Sequence, residues 1–109
     1  MALLEVKTEY SVYRNCYLMV ARYQADNSRA IEVRNNEDGP IARITVCIPG
    51  NSMAEDEVVL DTNNCPWAID FIKKYELGTE TGRTVRSGYC EYPVVKIDIK
   101  KIEEYLEVA

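Results

Sequence analysis

The chain contains no histidine. That removes the side chain most often used as a general base and most often used to bind metal. The four cysteines, Cys16, Cys47, Cys65 and Cys90, are widely spaced and form no C-x-x-C pair. Cys₄ zinc sites normally show paired knuckles, so no metal is expected and the thiols read as buried and free. No cofactor is expected either. No apolar run is long enough to cross a bilayer. The opening residues, Met1 to Glu5, lack the basic flank and apolar core of a signal peptide. Together these absences make a cytoplasmic protein with no membrane partner the expectation. Blocks of one charge are missing too. Acidic and basic residues alternate to a net charge of −5, which favours solubility and disfavours direct nucleic-acid binding. The densest acidic cluster, Glu55 to Glu57, is far short of the carboxylate face that a DNA mimic would need. There is no internal repeat, low-complexity tract or linker.

What is present fits a single domain spanning residues 1–109, with an apolar fraction of 47% and one modest core. Residues 4–13 alternate between apolar and polar, the period of a half-buried strand. Arg14 and Asn15 read as a tight turn. Residues 16–23 form a second, more apolar strand, and residues 30–34 a third. Residues 35–40, with Asp38 and Gly39 at the tip, carry the clearest hairpin signal. A β-branched strand follows over residues 41–48, and a short one over residues 57–60.

The strongest local signals lie between Asp61 and Pro93. Asp61, Thr62, Asn63 and Asn64 all suit the start of a helix, with Asn64 as N-cap and Pro66 in the first turn. The helix is expected over residues 66–77, with Gly78 as its left-handed terminator. Its wheel puts Trp67, Ala68, Phe71, Ile72 and Tyr75 on one wide apolar arc, the mark of a helix lying deep on a sheet. Residues 79–88 show no periodicity and read as a loop bounded by glycines. A strand follows over residues 89–98, with Pro93 marking an edge, a bulge or the strand's start. Residues 99–108, capped by Asp98, form a short helix that is stable only if docked. The expected class is α+β: an antiparallel sheet of about five or six strands, one main helix packed on it, and a short C-terminal helix. A β-rich sandwich or small barrel is the competing architecture.

Four motifs occur together in the second half: Asp-Thr-Asn-Asn-Cys-Pro (61–66), Leu-Gly (77–78), Thr-Gly-Arg (81–83) and Arg-Ser-Gly-Tyr-x-x-Tyr-Pro (86–93). As a set they resemble a family of small proteins classed only as a domain of unknown function, whose members occur on conjugative elements and prophages of gut anaerobes. The resemblance implies no activity. It implies a mobile-element setting, in which accessory proteins often bind or inhibit host machinery.

Two places invite a chemical reading. Cys65 sits at an expected helix N-terminus, where a thiol pKa falls, but a nucleophile there has no histidine to serve as base. Arg83 and Arg86, beside Thr84 and Ser87, form the candidate anion- or partner-binding site. This is not a P-loop, since it lacks the Lys-Ser/Thr ending and leads into a strand. The bland alternative is one arginine paired with a carboxylate and the other solvated. Eight tyrosines add a second candidate surface, because tyrosine is enriched where proteins meet. The leading expectation is a non-enzymatic accessory protein of a mobile element that binds another protein. The alternative is an antagonist of host DNA defence, an inhibitor of anti-CRISPR or anti-restriction type. A small enzyme using Cys65 or the Arg83/Arg86 loop ranks third. Nothing in the sequence signals an oligomeric state.

Overall fold

The computed structural model describes residues 3–106. Among them run β1 (Leu4–Lys7), β2 (Val12–Arg22), β3 (Arg29–Asn35), β4 (Gly39–Arg43), β5 (Thr45–Val46) and β6 (Glu57–Leu60). Helix α1 (Ala68–Lys74), β7 (Gly78–Ser87), β8 (Cys90–Ile97) and α2 (Ile99–Glu103) follow. The strands form two antiparallel four-stranded sheets, β1-β2-β3-β4 and β5-β6-β8-β7. The fold is α+β with one main helix and a short C-terminal one, as the sequence suggests.

The strand pattern departs from the sequence reading at three places, two of which raise the count among the described residues to eight, beyond the five or six expected. First, the alternating run at residues 4–13 is a hairpin. Thr8 turns the chain by accepting at its Oγ1 from the amides of Tyr10 and Ser11 at 3.2 Å each. Arg14 and Asn15 lie inside β2, where Asn15, at φ 56°, makes a bulge that shifts the β1–β2 register. Second, the run at residues 41–48 changes sheets at the fully buried Ile44. Its N–H donates to Ile31 of the first sheet at 3.0 Å, and its carbonyl accepts from Asp61, beyond β6, at 2.9 Å. Third, the stretch read as a loop after Gly78 is β7, a ten-residue edge strand.

The Asn35–Gly39 hairpin forms as expected. Asn35 Oδ1 accepts from the Asp38 amide at 2.6 Å, and Gly39 takes φ 71°. Pro93 sits within β8 opposite Thr84, one residue past the point where the β6 ladder ends at Val94.

One core lies between the sheets and the helices. Leu18, Ile31 and Val33 come from the first sheet, Val58, Leu60 and Val95 from the second, and Phe71, Ile72 and Ile102 from the helices. Trp67, Phe71, Tyr75 and Tyr105 stack edge-to-face in a row, with centroids 5.8, 5.4 and 5.9 Å apart. The Tyr75 hydroxyl accepts from the Glu5 amide at 2.7 Å and donates to the Glu5 carbonyl at 3.2 Å, tying α1 to β1.

Both ends of α1 differ from the sequence reading. Asn64 is not the cap: its amide donates to Asp61 Oδ1 at 3.2 Å within a separate turn, and the α-helix begins only at Ala68. At the other end Glu76 holds the left-handed position, φ 56°, with Leu77 N–H reaching Ile72 O at 2.9 Å. Gly78 serves a different need. A Cβ there would stand 2.7 Å from the Lys96 carbonyl, so glycine lets β7 meet β8. Helix α2 is capped by Asp98, which accepts from Lys101 N–H at 3.1 Å, and ends at Glu103. Leu18 N–H then donates to Tyr105 O at 2.8 Å, which docks the C-terminal segment against β2. The expected end of that helix, residues 107–108, lies outside the described residues.

A second, smaller apolar cluster occupies the other face of the second sheet: Val59, Val85 and Val94, with Ile48, Met53 and Tyr92 packed over them. The β5–β6 loop covers it. Arg22 and Arg29 reach Glu55 of that loop at 2.9 and 3.1 Å.

Candidate protein-binding surface

Because residues 78–87 are a strand and not a loop, Arg83 and Arg86 do not converge. Side chains of a strand alternate between faces, so residues three apart point to opposite sides. Val85 pairs with Tyr92 over the valine cluster, and Arg83 turns to that same side. Its Nη2 lies 3.2 Å from Glu57 Oε1 and 3.1 Å from the Ser52 carbonyl, which fastens β7 to the β5–β6 loop. Arg86 pairs across the strands with Glu91 on the opposite face, at 3.6 Å and largely in solvent. Thr84 and Ser87 are exposed. No anion clamp results.

The distal half of this hairpin has a distinct shape. Strand β8 pairs with β6 only from Val94 to Lys96, whereas it pairs with β7 from Cys90 onwards. Residues 84–93 are therefore a two-stranded arm that projects past the sheet, with Tyr89 fully exposed at its tip. Gly82, at φ 82°, makes the bulge where the arm leaves the sheet.

Cys65 is poorly placed for chemistry. It is buried, and its thiol lies 3.6 Å from the Arg43 carbonyl. Burial, and secondarily the Asp61 charge, push its pKa up to about 11, away from a reactive thiolate. Burial also raises Cys16. Cys47 is raised by burial and then by the neighbouring Asp26. All four thiols are free; Cys47 and Cys90 are only half-buried. Among the described residues no three Cys, Asp or Glu side chains group as a metal site would require.

A hollow of about 610 Å³ opens beside the end of α1. Its lining mixes Lys73, Glu76, Lys96 and Asp98 around Ile97, itself buried, so it presents no apolar floor. A more organised surface runs past the first sheet. A hollow of about 410 Å³ lies among Tyr13, Arg14, Asn35 and Asp38. A second, about 180 Å³, lies among Tyr10, Tyr13, Ile41, Ala42, Cys65 and Trp67. A third, about 280 Å³, lies among Lys7, Trp67, Asp70, Phe71 and Lys74. Neighbouring hollows share a ring, Tyr13 between the first and second and Trp67 between the second and third. The result is one furrow of hollows separated by aromatic ridges.

The turn at Thr8 holds Tyr10 over this furrow at 92% exposure. Five carboxylates (Glu5, Glu9, Glu37, Asp38 and Asp70) line it against three cations (Lys7, Arg14 and Lys74), so its rim is net acidic. The sequence placed Tyr10 in a strand. The Thr8-to-Ser11 pair was the available signal, since hydroxyl side chains at such spacing make turns.

Residues 17–108 match the family described as Domain of unknown function (DUF4313). The chain belongs to this family. The DUF4313 match takes in Trp67, the turn before it and the whole β7–β8 arm, while Tyr10 and Tyr13 precede its first residue. No curated protein and no solved structure matches the chain. Within the described residues no helix is long and apolar enough to cross a membrane.

Proposed function

We propose that this DUF4313 protein is a small non-catalytic module that binds another protein through the furrow around Tyr10, Tyr13 and Trp67. The observation that carries this reading is the solvent-facing Tyr10 beside two half-buried aromatic ridges. Exposed aromatics over apolar hollows supply contact area at low entropic cost, and they dominate binding energy where proteins meet. The reading as a non-enzyme rests on the sunken Cys65 thiol and on arginines that face apart. The motif resemblance supports a further step, that the protein is a cytoplasmic accessory of a mobile genetic element acting on a host protein. Arg86, Thr84 and Ser87, on the projecting arm, are the second surface to test.

The test is capture from a host lysate with three tagged forms: wild type, Tyr10→Ser and Arg86→Ala. Both substituted side chains lie largely in solvent, so all three should melt alike. A partner held by wild type and Arg86→Ala but lost by Tyr10→Ser locates binding in the furrow. Loss with Arg86→Ala alone moves it to the arm. Retention by both variants removes both surfaces.

A further inference from the structure

The furrow's geometry restricts what kind of segment can lie in it. Strand addition is hindered on both flanks. On the β1 side, the N–H and C=O of Glu5 are both taken by the Tyr75 hydroxyl. On the β4 side, Pro40 has no N–H to offer, and the Arg43 carbonyl is approached by the Cys65 thiol at 3.6 Å. A partner strand would therefore meet an interrupted row of backbone groups on either edge. A docked helix needs an uninterrupted apolar trough for anchors one turn apart. Here the rings of Tyr13 and Trp67 cross the trough and divide it into separate hollows.

A polyproline II segment has the opposite requirements. It carries few backbone donors, forms no internal hydrogen bonds, and packs its rings between aromatic ridges. Tyr10, Tyr13 and Trp67 supply such ridges, and each carries a donor at its polar edge for the segment's carbonyls. The rim decides the charge of the ligand. Glu9 borders the second hollow with no cation beside it, and Glu37 and Asp38 outnumber Arg14 at the first, while Glu5 and Asp70 at the third are balanced by Lys7 and Lys74. An acidic rim favours a cationic segment and repels an anionic one.

We infer that the furrow receives an extended, proline-bearing segment of a partner protein flanked by lysine or arginine. This rests on the reading of the furrow as a protein-binding surface and names the partner's chemistry.

Trp67 is the sole tryptophan and forms the ridge between two hollows, so its fluorescence reports directly on occupancy. Four synthetic peptides of equal length would be titrated: a proline-rich peptide with arginine ends, the same peptide with glutamate ends, an arginine-ended glycine–serine peptide, and a basic amphipathic helix. The expected result is a saturable shift in Trp67 emission with the first, weakened at least about tenfold by glutamate ends and by loss of proline. Raising the salt should weaken it further. Tyr10→Ser should lower the affinity at least about fivefold at an unchanged melting temperature. No saturable shift with the arginine–proline peptide, or equal binding of the glutamate-ended one, overturns the inference. Saturable binding of the helix alone overturns the ligand class and leaves the furrow as a protein-binding surface. If capture in the lysate depends on Tyr10 while every peptide fails, the partner class is wrong and the surface stands. If neither depends on Tyr10, the surface itself is wrong.

Discussion

Tyr75→Phe removes one oxygen and leaves the ring. In the native chain that oxygen closes two hydrogen bonds to the backbone of Glu5, at 2.7 and 3.2 Å, across 70 residues of sequence. The edge-to-face contacts with Phe71 and Tyr105, at 5.4 and 5.9 Å, involve the ring and survive. The loss is therefore a hydrogen-bond loss alone. Each such bond contributes about 0.5–1.5 kcal/mol net, so the pair amounts to roughly 1–3 kcal/mol. Strand β1 is only four residues long and pairs with β2 alone, so its backbone is held by that pairing and this hydroxyl while Leu4 and Val6 anchor its side chains in the core. For a domain of this size the melting temperature should fall by about 5–15 °C. Urea denaturation gives the free energy, and amide hydrogen exchange gives the location. The Glu5 amide should lose protection while the amides of Val58 and Val95, in the other sheet, keep theirs relative to global unfolding. A melting shift below about 1 °C, with Glu5 still protected, would refute the claim that this hydroxyl ties α1 to β1.

Three more outcomes follow from single contacts. Gly78→Ala should cost about 1–3 kcal/mol because its Cβ meets the Lys96 carbonyl at 2.7 Å, whereas Glu76→Gly should be neutral or stabilise by up to ~1 kcal/mol by relieving φ 56°; parallel melts compare them. Arg83→Ala should cost roughly 0.5–1 kcal/mol, after allowing for solvent screening of a half-exposed ion pair, and Arg86→Ala less than about 0.5 kcal/mol. Equal effects would mean that Arg83 does not fasten the β5–β6 loop. Cys65, raised from 9.0 to about 11, favours its protonated form in the fold. Its contribution to stability is full below the unfolded pKa and is lost as pH rises through the folded one. Urea midpoints should fall between pH 9.0 and about 11 in the wild type, and less steeply in Cys65→Ala. At neutral pH the native thiol should resist alkylation.

The elements legible in the sequence are those whose signal is local. The Asn35–Gly39 hairpin forms from side chains within five residues of one another, and Asp98 caps α2 by reaching Lys101. Strand β6 shows as a short apolar run because three of its four residues are buried. The misreadings arise where distant chain decides the outcome. Ile44 looks like the middle of one strand because both halves are β-branched; only the separate demands of Ile31 and Asp61 on its backbone break it between sheets. Glu76 takes the left-handed position, which local preference assigns to glycine, because Gly78 is needed for the approach of β7 to β8.

Of the candidate surface, the number of tyrosines is legible in the composition and their arrangement is not. Tyrosine abundance pointed to a recognition surface, yet which rings face solvent is set by packing. Tyr17 lies on β2 and is buried, while Tyr10, seven residues earlier, is carried into solvent by the Thr8 turn. The arginines show the dependence most clearly. A spacing of three in a loop can bring two guanidinium groups to one target; the same spacing in a strand sends them to opposite faces. Strand β7 escaped detection because it buries only Val85 among its ten residues, so no apolar alternation existed to be read. Its conformation is imposed by β8, whose Val94, Val95 and Ile97 are held by the two cores. A strand determined by its partner is also one whose outward side chains are free to vary without loss of the fold. On that ground Arg86 can change with little effect on stability, as can Tyr89 in the exposed turn beyond β7, whereas Trp67, which rests on Phe71, serves the fold and lines the furrow. Trp67→Ala should therefore lower the melting temperature as well as binding, and Tyr10→Ser should lower binding alone. Identical effects of the two on the melt would contradict the placement of Tyr10 in solvent.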